Sequence, residues 1–481
     1  MDPYMGELAN IPEDKLIEWL FYCVDKKSVK VDAIFWEGHC LFEQEMDCFN
    51  TDIYRKFKQK GIDIMARIID ECHKRGIKAY CHHRFSEVEL SPGNEIKEKH
   101  KDWVIKTWWD EGLWNLASEG LQEFKLNYIT KIMQRYPFDG ISIDFLRHLP
   151  CLPVGAQWEN RKRATKFISK LKENMNKLGR KIMVGAKLPE NEKACHVDGF
   201  DVETWAESGI VDFLICGSRT VNSEIDWYKK VTKGTSTEVY ACWDGYHLAD
   251  AQNNQTSDFY RGMISNWKKK GTDGIVAFNF APAPRKVLKK LLPPEEILNC
   301  LAQDYSDFYN ILNDENLENK ELKFTADRKY GYPFLEGAGG NNIFAPLPAA
   351  IPNDEAPLDI NLDVCGDYKD RNIEIRFIIT NAKPTFDKFE ILLNGVKIKE
   401  FIENYSYIDK EIFWPAPQPE MYTANSLNEN PAHILEIKAR VDSGLVKNGR
   451  NSLSISVKRT NVSGAISVER AEIIVGDVYG L

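Results

Sequence analysis

Between Val31 and Phe280 the chain alternates short β-branched or aromatic runs with amphipathic helical segments, and this alternation restricts the fold more than any other feature of its 481 residues. Strand-like runs fall at 31–36, 77–81, 112–116, 140–143, 181–186, 211–216, 238–242 and 274–278. Helical periodicity separates most of them: Ile64, Ile68, Ile69 and Cys72 share one face before Gly76, and Phe124, Leu126, Ile129, Ile132 and Met133 mark another helix. Strands joined through helices pair in parallel. Eight of them in roughly 250 residues match a (β/α)8 TIM barrel. The rival, a doubly wound open sheet, opens on a glycine-rich phosphate turn. Here the first strand runs into Glu37-Gly38-His39-Cys40 instead.

The pattern changes after the barrel. Gly337-Ala338-Gly339-Gly340-Asn341-Asn342 and Pro346-Leu347-Pro348 read as connector. Beyond them, runs at 360–364, 372–380, 388–393, 434–441, 452–457 and 470–476 are alternating or β-branched, with Asn394-Gly395 and Lys447-Asn448-Gly449 as turns. That is the pattern of an all-β sandwich. The expected organisation is a barrel over 1–312, an irregular connector over 313–357 and a jelly-roll-like β-sandwich over 358–481.

In a parallel barrel the residues just past each strand converge on one bowl, where such folds keep their chemistry. Those residues are Glu37 and His39; His82, His83 and Arg84; Asn115; Asp144, Arg147 and His148; Lys187 and Glu190; Ser218 and Arg219; Trp243, Asp244 and His247; and Asn279. Acids, imidazoles, guanidinium groups and tryptophans together suit a polyhydroxylated substrate. Glycoside cleavage needs two carboxyl groups, one to protonate the leaving oxygen and one to attack or to activate water. Asp144, closing the apolar run 140–143, is the foremost candidate. For its partner Asp244 and Glu37 stand level, while Glu190 reads as a solvated loop charge; matching Asp144, Glu190 and Asp244 to amylase-type barrels is analogy of fold alone. Trp36, Trp243 and Trp114 are candidates for a sugar platform. Arginine pairs bidentately with carboxylates, so Arg84, Arg147 and Arg219 suit an acidic sugar. Successive strand residues point to opposite faces, so His82 and His83 do not readily share one metal. No H-x-H or H-E-x-x-H spacing is present. No metal and no cofactor are expected.

A net charge of −9 argues against a nucleic-acid partner. Eleven cysteines without a compact framework read as free thiols in a reducing, cytoplasmic setting; a secreted or periplasmic protein whose signal peptide has been removed is the alternative. No apolar window spans a membrane. Asn254, Asn404 and Asn461 match the glycosylation acceptor pattern, which chance also produces. Nothing in the sequence sets the oligomeric state.

The run from Phe138-Asp139-Gly140-Ile141 through Asp144-Phe145-Leu146-Arg147-His148 resembles the D-G-I-x-x-D-[YF]-[IL]-R signature of glycosyl-hydrolase-like barrels related to glycoside hydrolase family 10-like proteins. Cys72-His73-Lys74-Arg75-Gly76-Ile77-Lys78 is similar to their A-H-x-R-G-[IL]-K segment, with cysteine for alanine, and Gly271 to Asn279 to their strand eight. The likeness covers about residues 30 to 300. It implies a barrel acting on glycosidic bonds with Asp144 as the catalytic position, and it carries over no second acid. Residues 445–455 and Leu393-Asn394-Gly395-Val396 resemble turns of jelly-roll domains attached to glycosidases. The expectation is a polysaccharide-degrading hydrolase with a carbohydrate partner: Asp144 as nucleophile or base, Asp244 or Glu37 as acid, and His82, His83, Arg147 and Asn279 positioning the sugar. The alternatives are a sialidase- or uronidase-like hydrolase using His148 or His83, and a carbohydrate-binding protein without turnover.

Overall fold

The computed structural model describes residues 12–27, 29–37, 57–86, 94–107, 112–217, 219–245, 256–278, 280, 306–328, 344–407, 434–459 and 464–476, with the side chains of 37, 94, 95 and 306 excepted. His39, His247 and Asn279, with Glu87 and Ser218, lie outside them, and of Glu37 only the backbone is included.

Seven parallel strands form the first sheet: β1 (Ala33–Glu37), β2 (Lys78–Arg84), β5 (Gly140–Asp144), β6 (Met183–Leu188), β7 (Phe213–Cys216), β8 (Glu238–Asp244) and β9 (Gly274–Phe278), adjacent in that order. The run expected as the third barrel strand does not join them. Leu113–Trp114 (β4) pairs antiparallel with Val104–Ile105 (β3), and β2 pairs directly with β5. A two-residue apolar segment satisfies its backbone with the nearest chain, here its own hairpin partner.

The sheet is rolled. In a flat sheet β2 and β9, five places apart, would lie about 24 Å from each other. Yet the rings of His82 on β2 and Phe278 on β9 are 5.7 Å apart, and Phe35 on β1 meets Phe213 on β7 at 6.0 Å. Among the described residues no ladder joins β1 to β9. The two-residue side-chain period sorts the strands into two cores. Phe35, Tyr80, Met183, Phe213, Ile215, Tyr240, Cys242, Val276 and Phe278 cluster inside the roll. Their strand neighbours Ile34, Trp36, Cys81, Ile143, Ala186, Leu214, Ala241 and Trp243 belong to the outer core, packed with the helices. Gly185 leaves the inner space that Phe213 fills; a Cβ there would sit 2.1 Å from that ring.

The rim at the strand N-termini repeats one device. The carboxylate of the aspartate just before a strand accepts the N–H of a residue in the preceding strand: Asp139 from Ala79, Asp212 from Val184 and Asp273 from Val239, at 2.7–2.8 Å. Each also meets a helix side chain, respectively the His73 imidazole and the Lys172 and Lys229 ammonium groups. Asp139 of the D-G-I run is therefore a register lock, at the opposite rim from Asp144.

Two antiparallel sheets follow. The larger runs β10 (Leu322–Thr325), β19 (Ser467–Val475), β13 (Ile373–Thr380), β17 (Ile434–Val441), β16 (Ile402–Asn404), with β11 (Ala349–Ala350) also on β19; the smaller runs β12 (Leu358–Val364), β18 (Gly449–Arg459), β14 (Asp387–Leu393), β15 (Val396–Lys397). Their alternating inner residues, among them Ile375, Phe377, Ile437 and Ile473 against Ile360, Ile391, Leu453 and Ile455, share one core, the layering of a sandwich. β10 and β11 come from the stretch expected as irregular connector.

The two parts are bonded together. Asn266 Nδ2 donates to the Asp363 carbonyl and Asn266 Oδ1 accepts from Cys365 N, both at 2.7 Å, and Lys270 pairs with the Asp363 carboxylate. Asp327, buried, accepts from Thr220 Oγ1 at 2.6 Å, Val221 N at 2.7 Å and Asn222 N at 3.2 Å. The helix Ser257–Lys269 lies so close that a Cβ on Gly262 would sit 2.2 Å from the Lys323 carbonyl oxygen. No helix among the described residues is long and apolar enough to cross a membrane.

Candidate active site

Every strand of the first sheet runs the same way, so all its C-terminal ends share one rim. Register aligns Arg84, Asp144 and Lys187 across β2, β5 and β6, and Asp244 with Phe278 across β8 and β9. Glu37 ends β1 with its Cα paired to His82.

Asp144 is the centre of this layer. Its Oδ2 accepts from His82 Nε2 at 3.2 Å and Lys187 Nζ at 3.3 Å, and its Oδ1 accepts from Leu146 N–H at 2.8 Å. All three side chains are buried. Burial alone would raise the Asp144 carboxyl, but Lys187 and His82 outweigh it and hold the group well below the usual carboxylate range. Burial also pushes the His82 imidazole down, against the pull of Asp144. Lys187 Nζ stands over the Phe278 ring, 3.3 Å from its centroid.

Asp244, equally buried, has the Arg219 guanidinium 3.8 Å away. The Cys242 thiol links the two carboxylates: burial first, then Asp244 and Asp144, push it up to about 12, while Lys187 and Arg219 oppose them. The buried layer sets Asp144, Lys187, Asp244 and Arg219 over an apolar floor of Phe35, Tyr80, Phe213 and Tyr240, and an ionised Asp144 there can stabilise positive charge developing on a substrate.

Several expected residues lie elsewhere. Trp36 donates to Cys72 Sγ at 3.4 Å and packs on Phe21; Trp243 packs on Phe259; Trp114 lies under the Lys97 and Lys125 ammonium groups. All three are buried among helices and form no sugar platform. His83 points away from the rolled interior, 3.4 Å from Lys125 and against Tyr128. His148 is buried with Nδ1 3.2 Å from the Ser86 carbonyl oxygen. Glu190, expected as a solvated charge, is buried, and its carbonyl accepts from Glu224 N–H at 2.9 Å. Arg84 and Arg147 are half-buried at the rim. Lys187, counted above only as a strand-end group, is the chief addition. Its signal was available: it keeps the inward phase of Met183 and Gly185 and stands in register with Asp144.

No protein-family model matches the chain, and no curated protein does. Solved structures do. A cycloisomaltooligosaccharide glucanotransferase of Paenibacillus sp. aligns at 11% identity and TM-score 0.29, over 85% of this chain and 47% of the other, so the chain spans about half of that protein. The glycoside hydrolase domain of PelA from Pseudomonas aeruginosa aligns at 8% identity and TM-score 0.35, over 51% of this chain and 94% of that domain. A noncanonic maltogenic alpha-amylase, AmyB, from Thermotoga neapolitana aligns at 11% identity and TM-score 0.36, over 97% and 94%.

Proposed function

We propose that this chain hydrolyses O-glycosidic bonds in an oligo- or polysaccharide at the C-terminal rim of a TIM-type barrel. The observation that carries the reading is Asp144: a buried carboxylate kept ionised by Lys187 and His82 at the end of an inner strand, with a second buried carboxylate, Asp244, at the C-terminal end of β8 on the same rim. Asp144 serves as the anion, nucleophile or base, facing the positive charge that grows at the anomeric carbon. Asp244 or Glu37 protonates the leaving oxygen. Arg219, Arg84 and Arg147 are the groups suited to hydroxyls or a sugar carboxylate.

The test is release of product from a panel of polysaccharides and aryl glycosides by the wild type and by Asp144→Asn, Asp244→Asn and Glu37→Gln. Loss of the anion should lower turnover by about 10²–10⁴-fold. Loss of the acid should do the same on sugar leaving groups and far less on dinitrophenyl glycosides, which depart without a proton. Turnover unchanged in Asp144→Asn, or no cleavage of any glycan, overturns the reading.

One observation favours a second reading. The Asp144 side chain has 0% exposure, as a structural ion pair beneath a sugar-binding surface would. In that case Asp144→Asn lowers thermal stability and leaves sugar affinity unchanged.

A further inference from the structure

The inner face of the roll carries two polar atoms beneath Asp144 that no group among the described residues satisfies. His82 Nδ1 and Ser142 Oγ are both buried without a hydrogen-bond partner among the described residues. They are neighbours: His82 on β2 and Ser142 on β5 are Cα partners in the ladder, and both keep the inward phase, His82 two residues after Tyr80 and Ser142 two residues before Asp144. Facing strands lie about 4.8 Å apart, too close for the two side chains to serve separate surroundings.

The protonation pattern follows from Asp144. An ionised carboxylate only accepts, so the Oδ2 contact at 3.2 Å places the proton of a neutral His82 on Nε2. Nδ1 is then a bare acceptor. Phe35 and Phe278 flank the ring at 6.2 and 5.7 Å, which fixes its plane and offers Nδ1 nothing to accept from. An acceptor buried without a donor is costly to the fold, so Nδ1 calls for one. Ser142 Oγ adds a second such group, able both to donate and to accept.

We infer that His82 Nδ1 and Ser142 Oγ form a binding point for one hydroxyl oxygen, which donates to Nδ1 and bonds Ser142, and which comes from an ordered water or from the substrate. With that oxygen in place a chain of donors runs from the interior to the rim: O–H to Nδ1, Nε2–H to Asp144 Oδ2, with Lys187 on the same oxygen. His82 is a positioning residue in this chain. It transmits the presence of the bound oxygen to the carboxylate, and each hydrogen bond strengthens the next. The inference deepens the hydrolase reading and rests on the rim being its active site.

A crystal structure of the full chain, unliganded and soaked in D-glucose, D-galactose and D-glucuronate, tests it. An oxygen within about 3.2 Å of both atoms in the unliganded crystal identifies water, and a sugar hydroxyl there only after soaking identifies substrate; both support the site. Nδ1 bonded to a protein group, or the ring turned so that Nδ1 faces Asp144, overturns it. ¹⁵N-histidine NMR supplies the second readout. The resonance lost in His82→Gln should show a neutral ring protonated at Nε2, and Ser142→Ala should shift its Nδ1 signal. A signal indifferent to Ser142→Ala sinks the inference. The two proposals fail separately: an oxygen found here while Asp144→Asn keeps full turnover leaves the site standing and removes the hydrolase.

Discussion

Lys187 Nζ lies 3.3 Å from Asp144 Oδ2, with both side chains almost wholly out of water. Register explains the pairing: the two residues are Cα partners on adjacent parallel strands and share the inward phase. An isolated buried charge is prohibitively desolvated, so each ion is the condition for the other. Lys187→Met should destabilise the fold by about 3–5 kcal/mol, because it leaves the carboxylate uncompensated. The double variant Lys187→Met/Asp144→Leu should recover much of that loss. Urea unfolding of the two variants measures both.

The same pair sets a pH dependence. Asp144 has a folded pKa below its unfolded value, so its contribution to stability is complete above about pH 4 and is lost as pH falls through the folded value. The stability difference between the wild type and Asp144→Asn should therefore be largest near neutrality and shrink on acidification. Denaturant midpoints across the acid range check this; a difference that grows toward low pH contradicts it.

Asp327 joins the two halves of the molecule to the site. It holds Thr220, Val221 and Asn222, the residues that follow Arg219. Asp327→Ala should loosen the Arg219–Asp244 contact and lower kcat with little change in KM for an uncharged glycoside. Asp327→Asn, which keeps one carbonyl acceptor, should restore part of it.

Close packing between the helix Ser257–Lys269 and β10 leaves no room for a side chain at Gly262. The atom a Cβ would strike is backbone, so Gly262→Ala forces the helix and β10 apart, at about 1–3 kcal/mol. Differential scanning calorimetry should show a lower Tm.

Much of this arrangement is legible in the sequence, and the misreadings share a cause. The strand–helix alternation and the apolar run ending at Asp144 locate the rim without coordinates. Trp36, Trp243 and His83 look like site residues because they stand at strand ends and bear useful side chains. Each is one residue out of phase with Phe35, Cys242 and His82, and that single step turns it toward the helices. Lys187 stands among the strand-end residues in the sequence, but its pairing with Asp144 appears only when its phase is compared with the neighbouring strand's. Leu113 and Trp114 show what periodicity cannot supply, since a short apolar run does not name its partner. Pairings made across the chain, such as Asp327 with Thr220 or Asn266 with Asp363, leave no local trace in composition.

The most direct measurement is mass spectrometry of products formed in H₂¹⁸O from whichever glycan the wild type consumes. The account requires one ¹⁸O at the new reducing end, and no such product above background from Asp144→Asn that is folded by calorimetry. Cleavage without ¹⁸O, or the same labelled product at an undiminished rate from Asp144→Asn, would contradict it.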